Sequence, residues 1–294
     1  MGYGRWSSSA YSRMQSNYRA KGRDDIFMAN KHRRIDPKLD PFRLRFRESR
    51  DSEEHPNSLA IAIFLDVTGS MGRIPEDLVR NQLGGLMNTM LDNDVQDPQI
   101  MFSAVGDHYS DRAPIQVGQF ESSTELINDG LSRLFLEGGG GGGGTESYPL
   151  AWHSCGRHTS IDCWEKRRQK GFLFTVGDER SHHKVEAGKL MELYGYDQAK
   201  DLDEFDMLDS AREMYEVFHI HLNQGSYPNN DQILGYWRER LGKRLVVLDD
   251  YSKLGLLMAT IVAVFSGKQA DDILRKQDVQ TRSLLGSSIE NTLA

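Results

Sequence analysis

The stretch that decides the fold is LAIAIFL at residues 59–65, followed directly by DVTGSM at residues 66–71. Seven consecutive apolar residues match a strand in length, and a strand apolar on both sides is covered on both faces. The run stops at Asp66, and residues 67–73 form a polar loop. Pro75 then suits the first turn of a helix, with Leu78, Leu83, Leu86, Met87 and Met90 following at roughly helical spacing. Strand, polar loop and helix make the first unit βα.

The same alternation repeats downstream. Strands are expected at 99–105, ending in GDHYSD, at 171–177 (GFLFTVG), ending on Asp178, at 216–222 and at 244–248. A short weaker strand is expected at 114–120, a helix at 124–135 and a closing helix at 252–265. Apolar strands alternating with helices predict an α/β fold, its mainly parallel sheet covered on both sides. Such sheets bind ligands at the carboxyl ends of their strands, where strand order reverses. Asp66, Asp107 and Asp178 all fall at such ends, so three separate strands deliver a carboxylate to one edge.

Around this body the charge is uneven. The chain of 294 residues carries a net charge of −7, yet residues 1–50 hold 13 Lys and Arg against 5 Asp and Glu, which leaves the remainder at −15. A basic arm over 1–57, without sustained periodicity, is therefore expected to be mobile or draped over an acidic domain at 58–266, with a polar tail at 267–294. The acidic body argues against nucleic acid as the main partner, because phosphate repels it. The first twenty residues lack the apolar core of a secretory signal, and the longest apolar run, 254–265, is shorter than the ~20 residues that span a bilayer. With two cysteines only, a reduced cytoplasmic setting without a membrane partner is the expectation.

Asp66, Thr68 and Ser70 place a carboxylate and two hydroxyls within five residues at a strand end. Hard oxygen ligands of this kind suit Mg²⁺, Mn²⁺ or Ca²⁺ and suit Zn²⁺ poorly. The plainer alternative is a loop with a helix cap. Seven consecutive glycines, 138–144, precede Thr145. They could be a linker, but a phosphate-binding loop would need Lys where Gly144 stands.

DVTGSM after an apolar strand resembles the DxSxS motif of the metal-ion-dependent adhesion site of von Willebrand factor A domains, with Thr68 in place of the first serine. Thr145 resembles that site's threonine, and Asp178 in TVGDE its second aspartate. The resemblance spans 58–266 and is nearest to the cytoplasmic A domains of bacteria and phages. It implies a Rossmann-like three-layer sandwich with a mostly parallel six-stranded sheet, 114–120 being its antiparallel edge strand. It further implies a divalent cation, Mg²⁺ foremost, held by Asp66, Thr68, Ser70, Thr145 and Asp178. Thr68 and Ser70 would be direct ligands, with the other three switching between direct and water-mediated contact. A coordination position is left open for an acidic side chain of a partner protein, so the implied role is an adaptor or subunit of a larger complex, not an enzyme.

Asp107, Asp111, Glu146 and Glu179 are acids beyond that pattern, and Asp107 is the first candidate to join the metal site. Together they would favour a cation and repel an external carboxylate. His153, Cys155, His158 and Cys163 have zinc-ligand types without the paired spacing of zinc sites, and read better as buried structural residues. His182 and His183 read as solvated. Two other functions draw on parts of the same sequence. A phosphohydrolase of the haloacid dehalogenase type also starts from Asp66 but needs a second aspartate at position 68, which is Thr. A scaffold that binds through its basic arm is the other.

Overall fold

The computed structural model describes residues 4–138 and 144–293, apart from the side chains of Ser70, Asn291 and Leu293. The decisive run is strand β1 (Leu59–Asp66). It lies inside a six-stranded sheet with β2 (Pro98–Val105), β3 (Ile115–Gln116), β4 (Gly171–Gly177), β5 (Tyr215–Leu222) and β6 (Leu245–Leu248). Spatial order is β6-β5-β4-β1-β2-β3, and every neighbouring pair is parallel except β3 against β2. Every residue of β1, β2 and β4 is buried, which requires cover on both faces. The fold is α/β, a mostly parallel sheet flanked by helices.

The main helices are α1 (Ser8–Tyr18), which packs on other helices, α2 (Leu83–Leu91), α3 (Thr124–Ser132), α4 (Tyr148–His158), α5 (Glu204–Met214), α6 (Asp231–Leu241), α7 (Leu254–Phe265) and α8 (Val279–Leu293). The chain adds β2 and β3 on one side of β1 and then returns to add β4, β5 and β6 on the other. The reversal lies at β1, so a crevice opens beyond the carboxyl ends of β1 and β4.

The edge strand is shorter than the sequence pattern. Ile115 and Gln116 pair with Val105 and Ala104, and Glu121 forms a single bridge to Ile100. Between them Gly118 passes so close that a Cβ would lie 2.1 Å from the Phe102 carbonyl oxygen, which accounts for the break. The helix after β1 is also less regular. It begins with the tight turn Gly69–Gly72 and the short helix Arg73–Asp77, then widens into a π-turn at Leu78–Gln82 before α2. Gln82 leaves that turn to donate to the Tyr251 carbonyl (2.9 Å) and accept from the Gly255 N–H (2.8 Å), tying the segment to α7.

The basic arm is draped over the body and is built into it. Tyr11, Tyr18, Ile26, Phe27 and Leu39 belong to the same buried apolar cluster as the sheet. The Tyr11 ring lies on Gly84, where a Cβ would meet Cε1 at 2.7 Å, and its hydroxyl donates to the Val79 carbonyl. Trp6 donates to Asn88, Asn128 donates to the Tyr18 hydroxyl, and Arg47–Ser49 pairs in parallel with Thr159–Ile161. Helix α1 escapes a periodicity reading because its buried residues are Ala10, Tyr11 and Tyr18, two of them aromatics spaced two turns apart without an aliphatic stripe. The tail behaves similarly. Leu285 and Ile289 of α8 are buried, and Ser288 donates to the Val247 carbonyl on β6. Among the described residues no helix is long and apolar enough to cross a membrane.

Removing the arm's main anchor should unfold more than the arm. Tyr11→Ala is expected to cost about 3 kcal/mol in urea denaturation, whereas Arg13→Ala, exposed on the same helix, should change stability by less than about 0.5 kcal/mol. Equal, small effects would show that the arm contributes nothing to the folded unit.

Candidate functional site

Parallel register brings the strand ends level: Asp66 pairs with Val105 on β2, and Leu65 with Val176 on β4. Asp66, 1% exposed, closes β1. Its Oδ1 accepts from the Thr68 N–H (2.8 Å) and hydroxyl (2.6 Å), and its Oδ2 accepts from the Tyr148 hydroxyl (3.2 Å). Gly69, at φ +27°, then starts the tight turn that holds Ser70, whose side chain lies outside the described residues.

Asp178 directly follows β4 and is buried; its Oδ2 accepts the Ser226 N–H from the loop after β5. Two glycines let the carboxylates crowd. A Cβ on Gly177 would lie 1.9 Å from the Tyr148 oxygen and 3.0 Å from Asp66 Oδ2, and one on Gly225 would lie 2.1 Å from Asp178 Oδ2. Trp237 packs edge-on against Tyr148 and donates from Nε1 to the Glu179 carbonyl (2.9 Å), fixing the loop that carries Asp178.

Glu146 completes this cluster. It lies on the two-residue strand Thr145–Glu146, parallel to Arg180–Ser181; it is buried, and its Oε2 has no hydrogen-bond partner. Burial, then repulsion from Asp66, Glu179 and Asp111, pushes its carboxyl up to about 10. Asp66 is pushed up to about 8 by burial, opposed by the Thr68 hydrogen bonds and reinforced by Asp178 and Glu179. Glu179 rises to about 7 through burial and the charges of Asp178 and Asp107. Asp111 is raised by burial and by Glu137 and Asp107. The charged neighbours acting on Asp66 and Glu146 are other acids, so these carboxyls hold their protons near neutrality unless a cation takes their place.

The residues expected to share one site divide between two. Asp66, Thr68, Asp178 and Glu146 line the strand ends, although among the described residues their carboxylates are not all within 4.8 Å of one another. Successive side chains of an extended segment point oppositely, and Thr145 faces away from Glu146, its Oγ1 3.5 Å from His182 Nε2. Asp107 faces His182 as well, at 2.8 Å. Burial raises the Asp107 carboxyl, but hydrogen bonds from the Tyr109 N–H, His182 and Ser110 outweigh it and leave the group below its ordinary value. His182 is therefore packed, not solvated, with its ring against His108 and Tyr109. The sequence pattern did not single out His108, although it adjoins Asp107. His183 is more exposed and meets Glu204 at 2.8 Å. Cys155 and Cys163 are free and buried, burial raising both thiols, while His153 and His158 both bond the Tyr196 hydroxyl. Among the described residues these four form no metal-compatible group.

A cleft of ≈ 450 Å³ adjoins the Asp66 turn, lined by Gly69, Arg73, Gln224, Tyr251 and, from the arm, Arg23. Arg23 lies over Gly72, where a Cβ would come within 2.7 Å of its Nη2. Two guanidinium groups thus belong to the residues that line this cleft.

No family model and no curated protein matches the sequence. Among solved structures, the pilus adhesin SpaC from Lactobacillus rhamnosus GG in its open conformation is similar with a TM-score of 0.42 and 12% identity, covering 77% of this chain and 31% of the adhesin. A second crystal form of that adhesin gives 0.41 and 12%, covering 76% and 31%. The chain spans about a third of the length of the adhesin chains it matches. At that distance the likeness assigns nothing to this chain.

Crowding at the strand ends is open to direct test. Gly177→Ala should displace Tyr148 or Asp66 and destabilise by about 1–3 kcal/mol. Gly188→Ala, exposed on the helix Ala187–Tyr194 with nothing within 4 Å of the new Cβ, should stabilise by roughly 0.5–1 kcal/mol. Thermal denaturation of the pair decides it, and a neutral Gly177→Ala would contradict the close packing.

Proposed function

We propose that this chain is a metal-dependent protein-binding module of the von Willebrand factor A type, an adaptor or complex subunit and not an enzyme. It would hold Mg²⁺, or alternatively Mn²⁺ or Ca²⁺, at the strand ends. The observation that carries this reading is the pair Asp66 and Glu146, buried at the sheet's switch point and each raised first by burial and then by the charges of neighbouring acids. A donor set made only of oxygens suits a hard cation, and the unpartnered Glu146 Oε2 is a ligand atom in search of one. Asp66, Thr68, Asp178 and Glu146 would hold the ion, with Ser70 from the adjoining turn; Glu146 takes the part expected of Thr145. The ion, when bound, would supply a Lewis-acid grip on a carboxylate oxygen of the partner. Arg23 and Arg73 in the neighbouring cleft would offset the repulsion that the extra acids exert on that carboxylate.

The phosphohydrolase alternative needs an acid/base two residues after Asp66, and Thr68 there directs both its donors at Asp66. The arm-only scaffold has a sharper test than deletion, because residues 1–57 carry part of the core. Arg23→Ala should weaken partner capture and leave Mg²⁺ affinity unchanged, whereas Asp66→Ala should abolish both. Capture that survives EDTA and Asp66→Ala would refute the metal-dependent grip.

Protons and metal compete for the same oxygens. The folded values of Asp66 (about 8) and Glu146 (about 10) lie above their ordinary values of 3.8 and 4.5. Their contribution to the stability of the metal-free fold is therefore complete below about pH 4 and is lost as pH rises, through about 8 for Asp66 and about 10 for Glu146. In EDTA the thermal midpoint of the wild type, relative to Asp66→Asn, should fall between pH 5 and 8, and Mg²⁺ should restore it most at the upper end. At a hundredfold excess over Kd the restoration amounts to about 2.7 kcal/mol. A midpoint indifferent to Mg²⁺ at pH 8 would rule the site out.

A further inference from the structure

We propose a second metal site beside the first, formed by Asp107, His108 and His182 with Glu186 at its rim, which selects a first-row transition ion of the zinc class. Each of the three inner residues offers one ligand atom, and these atoms all lie within 4.8 Å of one another. His108, 1% exposed, has Nδ1 engaged by the Ser147 hydroxyl at 2.6 Å, while its own N–H reaches the same oxygen at 2.8 Å. The ring is thereby fixed with Nε2 turned the other way, buried and without a hydrogen-bond partner, 3.8 Å from Glu186 Oε2. A ring held by an outer hydrogen bond at one nitrogen, leaving the other free, is how metal-binding histidines are oriented.

The other ligands are held in the same way. His182 Nε2 and Asp107 Oδ1 are 2.8 Å apart, so the pair need open by only about 0.6 Å to reach the ~3.4 Å that separates neighbouring ligands on a tetrahedral ion with bonds of about 2.1 Å. Asp107 is oriented by the Tyr109 N–H and the Ser110 hydroxyl, and Glu186 by the Tyr109 hydroxyl at 2.8 and 2.9 Å. Two imidazoles and two carboxylates make a borderline set that prefers Zn²⁺, Co²⁺ or Ni²⁺ to Mg²⁺, unlike the all-oxygen cluster around Asp66. The proposal does not depend on that cluster holding metal.

Cobalt(II) is the probe, because its visible bands report the ligands around it. Full-length protein titrated with Co²⁺ in excess Mg²⁺ should take up one ion with resolved visible bands, displaced by Zn²⁺. The bands should persist in Asp66→Ala and weaken at least tenfold in affinity in His182→Gln, a side chain near enough to the surface for the fold to tolerate the change. Glu186→Gln should give a smaller loss. Circular dichroism establishes that each variant is folded. Absence of the bands in wild type, their loss in Asp66→Ala, or unchanged affinity in folded His182→Gln would each overturn the second site.

Discussion

The constraint on which the molecule turns is the burial of several acids with no base among them. Parallel strands put Asp66 and Asp178 level at one edge, and the sheet that does this also excludes water from them. Ordinary folding would place an arginine there, or exchange one acid for an amide. Here the chain does the reverse and supplies tyrosine, threonine and backbone N–H groups, donors that orient carboxylates without neutralising them. Glycines at 177 and 225 remove the side chains that would keep the acids apart. The strain of this arrangement is electrostatic, and a divalent ion is the compact way to relieve it.

How much of this could be read beforehand follows from which forces are local. The apolar run before Asp66, and its echoes before Asp107 and Asp178, depend on strand burial alone, so the α/β class and the acidic edge were legible in the residues. The π-turn at Leu78–Gln82 and the break at Gly118 depend on partners far along the chain, Tyr251 with Gly255 and Phe102 respectively, and leave no periodic trace. The allocation of acids was out of reach for a related reason. Whether Thr145 or Glu146 faces Asp66 depends on the parity of a two-residue strand after a glycine run, and one residue's slip exchanges them. Asp107 looked like a partner of Asp66 because their strands adjoin, but two residues of turn beyond Val105 were enough to redirect it to His182.

That parity also separates chemistries that the sequence interleaves. Thr145 and Glu146 are chain neighbours, as are Asp107 and His108, and Asp178 lies four residues before His182. Folding sorts them so that an oxygen-only cluster and an imidazole-bearing cluster stand side by side. Ser147 supports His108, and the Asp111 carboxylate, which repels Glu146, accepts the Asp107 N–H at 2.8 Å. The two clusters thus share their scaffold while differing in the hardness of their donors.

The arm's docking has a consequence for the order in which the molecule can assemble. Its first residues are anchored on segments made much later: Ser7 on Thr124, Tyr18 on Asn128, Arg50 and the Asp51 N–H on Asp162. Tyr11 therefore stays uncovered until Val79 and Gly84 have been made, and Tyr18 until Asn128 has. Closing loops of that length is slow compared with forming the local βα units. The arm settles only after the segments that receive it, and during that interval its aromatics are the surface a chaperone would meet.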